Sequence, residues 1–339
     1  MLIDNIESFE NNILEDVLPV LNKKVDTEIY KEYQISEMAD IEKKFLNGII
    51  RYVKPKKILE VGMAAGGSSL IILNAIKDIK DSKLYSVDYS TEYYKDKNKN
   101  SGWVVDEYFP NLKNKWIVNT GGPLAKFIEN IGNDIDVCLL DTMHINPGEI
   151  LDLLVVLPFM KKNGIIILHD TIFHMDYETS YHYVHSYTNG LIFSVLKGKK
   201  YMPSDIYIKN ISNIGAVVLE NNSINNTFEY FFILTFPWSY IPNDDDFVYI
   251  ENIISKYYNE KLSNLFKDVT GIKRARNLHG EVLNTIKNGN KFNNIVSNIS
   301  NFIPFKKARQ KFKNSLIYGK EIDERKIKVD NMLKKLIKE

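Results

Sequence analysis

KILEVGMAAGGSSLIILNAIKDIKDSKLYSVDYS, residues 57–90, is the stretch whose reading decides the fold. Ile58, Leu59 and Val61 form an apolar run too short for a helix and bounded by turn residues, which reads as a buried strand. A glycine-rich turn follows, Gly62-Met63-Ala64-Ala65-Gly66-Gly67-Ser68. Leu70, Ile71, Leu73, Ile76 and Ile79 then recur at helical spacing, and a second strand, Leu84-Tyr85-Ser86-Val87, ends in Asp88. Strand, glycine turn, helix, strand and terminal acid make half of a nucleotide-binding α/β fold.

Glycine lets a backbone approach a ligand where a Cβ would clash, and the helix behind the turn offers unpaired N–H groups. An acid that ends the second strand is placed to accept both hydroxyls of a ribose. The order Glu60-x-Gly62-x-x-x-Gly66 departs from the Gly-x-Gly-x-x-Gly that cradles a dinucleotide pyrophosphate.

Further strands follow: Trp116-Ile117-Val118, leading to Asn119; Asp136-Val137-Cys138-Leu139-Leu140, closed by Asp141-Thr142-Met143-His144; and Ile165 to Leu168, closed by His169-Asp170-Thr171. Helical patterns separate them, so the alternation predicts a parallel sheet with helices on both faces. Ligands of such sheets bind outside the carboxyl ends of the strands, where Asp88, Asp141, His144, His169 and Asp170 all fall. Two acids on neighbouring strand tips can share a divalent cation, because hard oxygen ligands suit Mg²⁺ or Mn²⁺. A histidine three residues after one of them falls over the same pocket and titrates near neutrality, as a general base must.

The wide, acid-led turn resembles motif I of the class I S-adenosylmethionine (SAM)-dependent methyltransferases. SAM carries a cationic sulfonium and ammonium and no phosphate, which suits an acid beside the turn. The resemblance implies a Rossmann-like seven-stranded α/β sheet finished by an antiparallel strand, taken here as a hairpin of Asp205-Ile206-Tyr207-Ile208 with Ile214–Leu219. It also implies a cofactor site of Glu60, Gly62, Ala64, Gly66, Ser68 and Asp88, with Asn119 toward the adenine. The phrase LLDTMH…LPFMKKNGIIILHDT is similar to the macrocin-type sugar O-methyltransferases and cephalosporin-hydroxylase-like proteins. By that likeness His144 is the base, Asp141 works beside it, and Asp141, Asp170 and His169 are metal ligands. The sugar enzymes carry Glu-Asp, and the more distant catechol enzymes Asp-Asn, where this chain has His169-Asp170. An imidazole there allows Mn²⁺, another metal or none.

The chain has 339 residues, 44% of them hydrophobic, a formal net charge of +1 and one cysteine. That balance gives no electrostatic case for nucleic acid, and one cysteine excludes a disulfide framework. The first twenty residues carry several acids in no signal-peptide order, and no apolar stretch approaches the roughly 20 residues of a membrane span. A cytoplasmic protein is expected. Residues 1–50 look helical and amphipathic, 51–222 form the SAM-binding domain, 223–300 are mostly helical, and 301–339 form a basic amphipathic tail. The tail carries 12 Lys and Arg against 5 Asp and Glu from Lys306 to Glu339; with Phe305, Phe312 and Leu316 it is a candidate peripheral membrane contact on the inner face of the membrane. Residues 90–114, polar and aromatic, read either as a helix lining the adenine side or as ordinary surface. The histidine- and tyrosine-rich loop 172–188 reads as a lid.

The function expected is methyl transfer to a hydroxyl of a carbohydrate or glycoconjugate, with SAM as cofactor and Mg²⁺ or Mn²⁺ optional. Self-association is left open. Two rivals stand beside it: an NAD-dependent oxidoreductase, against which the absent Gly-x-Gly-x-x-Gly and Tyr-x-x-x-Lys count, and a non-catalytic scaffold in glycan assembly.

Overall fold

The computed structural model describes residues 2–27, 30, 33–176, 186–203, 211–220 and 228–277. Among the described residues nine strands occur in chain order: β1 (Lys57–Val61), β2 (Lys83–Asp88), β3 (Glu92–Tyr93), β4 (Asp96–Asn100), β5 (Trp116–Thr120), β6 (Ile135–Leu140), β7 (Met160–His169), β8 (Gly198–Tyr201) and β9 (Ile214–Leu219). Seven form one sheet in the order β5-β2-β1-β6-β7-β9-β8. The pairs from β5 through β7 are parallel, while β9 runs antiparallel to both its neighbours. This is the Rossmann-like seven-stranded sheet, finished by an antiparallel strand, that the sequence predicts. Its central strands are apolar on both faces because both faces are covered: Ile58, Leu59, Val137, Cys138, Leu139 and Leu140 are fully buried.

The helices are α1 (Leu18–Leu21), α2 (Asp40–Val53), α3 (Gly67–Ala75), α4 (Trp103–Tyr108), α5 (Leu124–Ile131), α6 (Gly148–Val156), α7 (Phe173–Asp176), α8 (Thr188–Val195), α9 (Phe228–Ile233) and α10 (Asp244–Tyr257). Every residue of α3 is buried, as expected of a helix apolar all round; it packs against α2 and the amino-terminal segment. That segment is less helical than its sequence suggests. Asn5 and Glu10 adopt left-handed conformations and Pro19 follows, so residues before α2 form short 3₁₀ turns and the single turn α1. Arg51 of α2 fastens it, with Nε 2.5 Å from Glu10 and Nη1 2.5 Å from Asp78.

Two further expectations are corrected. Residues 90–114 do not form one helix. Asp96 Oδ1 accepts from Asn98 N at 3.0 Å, a local bond that favours a turn over a helix, and the segment folds as the β3–β4 hairpin, α4 and a 3₁₀ turn from Pro110 to Lys115. The strand paired with β9 on its outer side is Gly198–Tyr201; Asp205–Ile208 lies outside the described residues.

Residues 228–266 belong to the same compact unit as the sheet, which spans Met1–Phe266. The acidic run Asp244-Asp245-Asp246 is the first turn of α10, capped by Asn243, whose Oδ1 accepts from Asp246 N at 2.8 Å. Of the second unit, Lys267–Glu339, residues 267–277 are helical. The polar linker at 221–227, the Asn-rich linker from 287 to 300, the basic tail from 301 and most of the proposed lid (177–185, with His182 and His185) lie outside the described residues. No described helix is long and apolar enough to cross a membrane.

Candidate active site at the carboxyl ends of the strands

One cavity of about 1340 Å³ opens over the carboxyl ends of β1, β2, β6 and β7. That exceeds the roughly 300–1,000 Å³ of a pocket for one drug-sized ligand, so a cofactor and an acceptor fit together. Gly62, Ala64, Ser68, Asp88, Asp141, His144, His169 and Asp170 all line it.

The turn after β1 is stitched by its neighbours. Gly62 N donates to Val87 O, and Asp141 N donates to Val61 O. At Gly62 φ is 86°, and a Cβ there would lie 1.8 Å from the Asp141 carbonyl oxygen. Glycine is therefore required by the contact between the turn and the end of β6. Asp88 closes the turn from the other side: Oδ2 accepts from Met63 N at 3.1 Å and Ala64 N at 3.0 Å, and Oδ1 from Ser90 N at 2.9 Å.

Glu60 and Asn119 are placed elsewhere. The Glu60 carboxylate is fully buried beneath the turn, where Oε1 accepts from Ser68 (2.6 Å) and Oε2 from Ser69 (2.6 Å) and Ser86 (2.5 Å). Trp116 Nε1 donates to Ser86 Oγ at 2.8 Å behind them. Burial pushes Glu60 up to about 7 despite these hydroxyls. Glu60 thus braces the strand–turn–helix junction and does not line the cavity; nor does Gly66, whose left-handed φ of 98° shapes the turn. Asn119 lies within β5, and Gly122, Pro123 and Leu124 of the following loop reach the cavity instead.

The ends of β6 and β7 carry the reactive constellation. His144 Nδ1 lies 2.9 Å from Asp170 Oδ2 and 3.9 Å from Asp141 Oδ1. Its backbone N donates to Glu149 Oε1, and its ring packs on Phe173. His144 and Asp170 both hold left-handed backbones, at φ 58°, a conformation often found where structure is organised for a ligand. Burial opposes charging the His144 imidazole, but the bond to Asp170 and the fields of Asp170, Asp141 and Glu149 outweigh it and hold the ring at about 9. Asp170 also accepts from Asn213 Nδ2 at 2.6 Å. Although burial pushes this carboxyl up, His169 and His144 hold it well below the usual carboxylate range.

His169 stands behind this pair. Its Nδ1 lies 3.3 Å from Asp141 Oδ1 and 3.2 Å from Asp170 Oδ2, and its Nε2 lies 3.2 Å from Glu42 Oε2. Burial opposes its charge, but the carboxylates of Asp170 and Asp141 outweigh that cost and hold it well above the ordinary histidine range. Among the described residues, the atoms that converge closely enough to share a cation belong to Asp141, His144 and Asp170, all within 4.8 Å of one another. His169 is outside that group.

Residues 59–171, from the first strand through this constellation, match the family model described as a methyltransferase domain. No curated protein matches the chain in sequence. Solved structures it resembles include the Bacillus cereus O-methyltransferase in complex with S-adenosylhomocysteine (SAH), at 15% identity over 64% of this chain and 92% of that one, TM-score 0.40. A second is an SAH-bound methyltransferase of Podospora anserina (13%, 64% and 89%, TM-score 0.43). A third is TomG of Streptomyces achromogenes, an O-methyltransferase of tomaymycin synthesis in complex with SAM (12%, 65% and 91%, TM-score 0.40).

Several walls of the cavity come from outside the matched residues: Tyr33 to Glu42 before them, Ile211 and Asn213 after them, and Tyr240 to Ile250 beyond. The last group is tied to the matched residues by Tyr89, whose hydroxyl donates to Asp246 Oδ2 at 3.0 Å and accepts from Asn243 Nδ2 at 3.1 Å. Glu42, Glu149, Asp152, Tyr89 and Asp246 were not singled out from the sequence. Only Glu42 had a local signal: it stands three residues after the α2 N-cap, and its Oε2 accepts from Ala39 N as a capping residue does.

Proposed function

We propose that the protein is a SAM-dependent O-methyltransferase acting on a hydroxyl of a carbohydrate or glycoconjugate, with His144 as general base. One observation carries the reading: the His144–Asp170 pair shares a single cavity with the glycine turn and Asp88. The lining suits a cationic cofactor, since the described residues contribute eight carboxylates and no lysine or arginine.

SAM, when bound, supplies a methyl carbon made electrophilic by its positive sulfur. Gly62, Ala64, Ser68 and Asp88 would hold it, Asp88 from the ribose side. His144 takes the proton of the acceptor hydroxyl on the ring nitrogen that faces away from Asp170, and Asp170 stabilises the imidazolium that results. Asp141 orients the acceptor. In-line displacement rewards alignment, so a base and an acceptor held by two rigid strand ends contribute through position as well as proton transfer.

A divalent cation, if used, would be held by Asp141, His144 and Asp170, a mixed oxygen and nitrogen set that suits Mn²⁺ better than Mg²⁺; it would lower the pKa of a bound hydroxyl. A metal-free reading is favoured by His169, whose protonated ring lies within 3.3 Å of the same two carboxylates and supplies positive charge there.

The test is calorimetric titration of SAM into wild type and Asp88→Ala, first in EDTA and then with Mg²⁺ or Mn²⁺, followed by an acceptor screen for SAH release. Micromolar binding lost in Asp88→Ala supports the reading. Absence of SAM binding in every condition refutes it, and a nicotinamide titration would then probe the oxidoreductase alternative.

A further inference from the structure

The charge of the cavity discriminates among the acceptors that the proposed function leaves open. His144, His169, Asp141, Asp170 and Glu42 compensate one another at the strand ends, and Lys95 pairs with Glu37. Asp152 and Asp246 are different. Asp152 Oδ2 accepts only from the neutral Thr142 hydroxyl, at 3.2 Å, and Asp246 from the neutral Tyr89. Lys126, whose field reaches Asp246, spends its Nζ on the Gly121 carbonyl at 2.8 Å. One turn before Asp152 on α6, Glu149 is fully buried with Oε2 unpartnered, which adds to the negative field. Tyr240 brings an aromatic ring to the same wall, a surface that attracts cations. Burial and Glu149 also push Asp152 up to about 7, which a nearby cation would relieve.

We infer, on the basis of the methyltransferase reading, that the acceptor is an amine-bearing hydroxyl compound whose ammonium is received by Asp152 and Asp246, and that acceptors carrying phosphate are rejected. A nucleotide-linked or lipid-pyrophosphate-linked sugar would bring two or more negative charges into a space where no described lining residue is a lysine or arginine. Like charges at close quarters oppose binding, and such juxtapositions are how sites exclude wrong partners. A protonated amine meets the opposite field.

The test uses glucosamine, glucose and glucose 6-phosphate as probes, titrated into SAH-saturated protein at pH 7. The readout is methyl resonances of Leu151 and Ile250, which line the cavity. The expected result is a glucosamine Kd lower than that of glucose 6-phosphate by at least about tenfold, a gap that shrinks in Asp152→Asn/Asp246→Asn. Glucose 6-phosphate binding as tightly as glucosamine, or glucosamine leaving those resonances unmoved, overturns the inference. SAH affinity is measured separately. Failure to bind SAH defeats the methyltransferase reading itself, while the ranking of the probes on the ligand-free protein still decides the charge preference. Should the double variant fail to fold, the wild-type ranking remains decisive.

Discussion

Glu42 on α2 and His169 at the end of β7 meet at 3.2 Å, Oε2 to Nε2, 127 residues apart in the chain. The same Oε2 accepts from Ala39 N, so one oxygen both caps the helix and anchors a buried imidazolium. Removing Glu42 leaves the imidazolium paired with Asp141 and Asp170 but takes the acceptor from its buried Nε2, and a buried donor left unsatisfied costs roughly 1–3 kcal/mol. Glu42→Ala will therefore lower unfolding stability by about that amount, whereas Glu42→Gln, which keeps an acceptor for Ala39 N, will cost less. Urea denaturation of both variants checks this; equal losses would show that the lost acceptor is not the operative feature.

His144 is protonated in the ligand-free protein until about pH 9. A base works only when deprotonated, so kcat/KM is expected to rise with pH and level off near that value. His144→Ala should lose about 10²–10⁴ in rate with SAM affinity retained. A flat profile between pH 7 and 9 in the absence of metal would remove His144 from the base role.

Stability should run the other way. Glu60 titrates near 4.5 unfolded and near 7 folded, because burial disfavours its charge. Between those values the folded state keeps a proton that the unfolded chain releases, so stability falls as pH rises through the window. Asp152 adds the same sign from 3.8 to about 7. Each contributes a few kcal/mol at most. Melting temperature should drop from pH 5 to pH 7.5, and Glu60→Gln should flatten part of the slope. An increase over that range would contradict the burial argument.

Gly62→Ala tests the turn. The new Cβ would lie 1.8 Å from a backbone oxygen that cannot swing away, at a φ of 86°. Losses above about 4 kcal/mol belong to this kind of backbone conflict, so little soluble folded protein is expected. A variant that folds and binds SAM normally would mean that β1 and β6 separate more easily than their packing implies.

The strand–turn–helix core was legible because its apolar period and glycine turn are local. So was the convergence of Asp88, Asp141, His144 and Asp170, since parallel topology sends every strand end to one edge. Glu60 shows where local reading stops. An acid beside a glycine turn looks the same whether it faces a ligand or three serines, and only the parallel pairing of β1 with β2 brings Ser86 opposite it. His169 shows the same limit from the other side: its placement behind Asp141 depends on Glu42, which reaches the site from a helix before the sheet begins. Glu149 and Asp152 share a face of α6 at i and i+3, but nothing in their spacing announces that one is buried under His144 and the other lines the cavity.

The Tyr89 hydroxyl, held between Asn243 and Asp246, joins two parts of the chain with different duties. The floor of the cavity, with the reacting groups, is encoded in residues 59–171. The wall from Tyr240 to Ile250 is encoded some seventy residues later. On the proposed function, chemistry and clientele are written in separate passages of the polypeptide, so the wall could be redrawn to admit another substrate while the residues beneath it stay as they are.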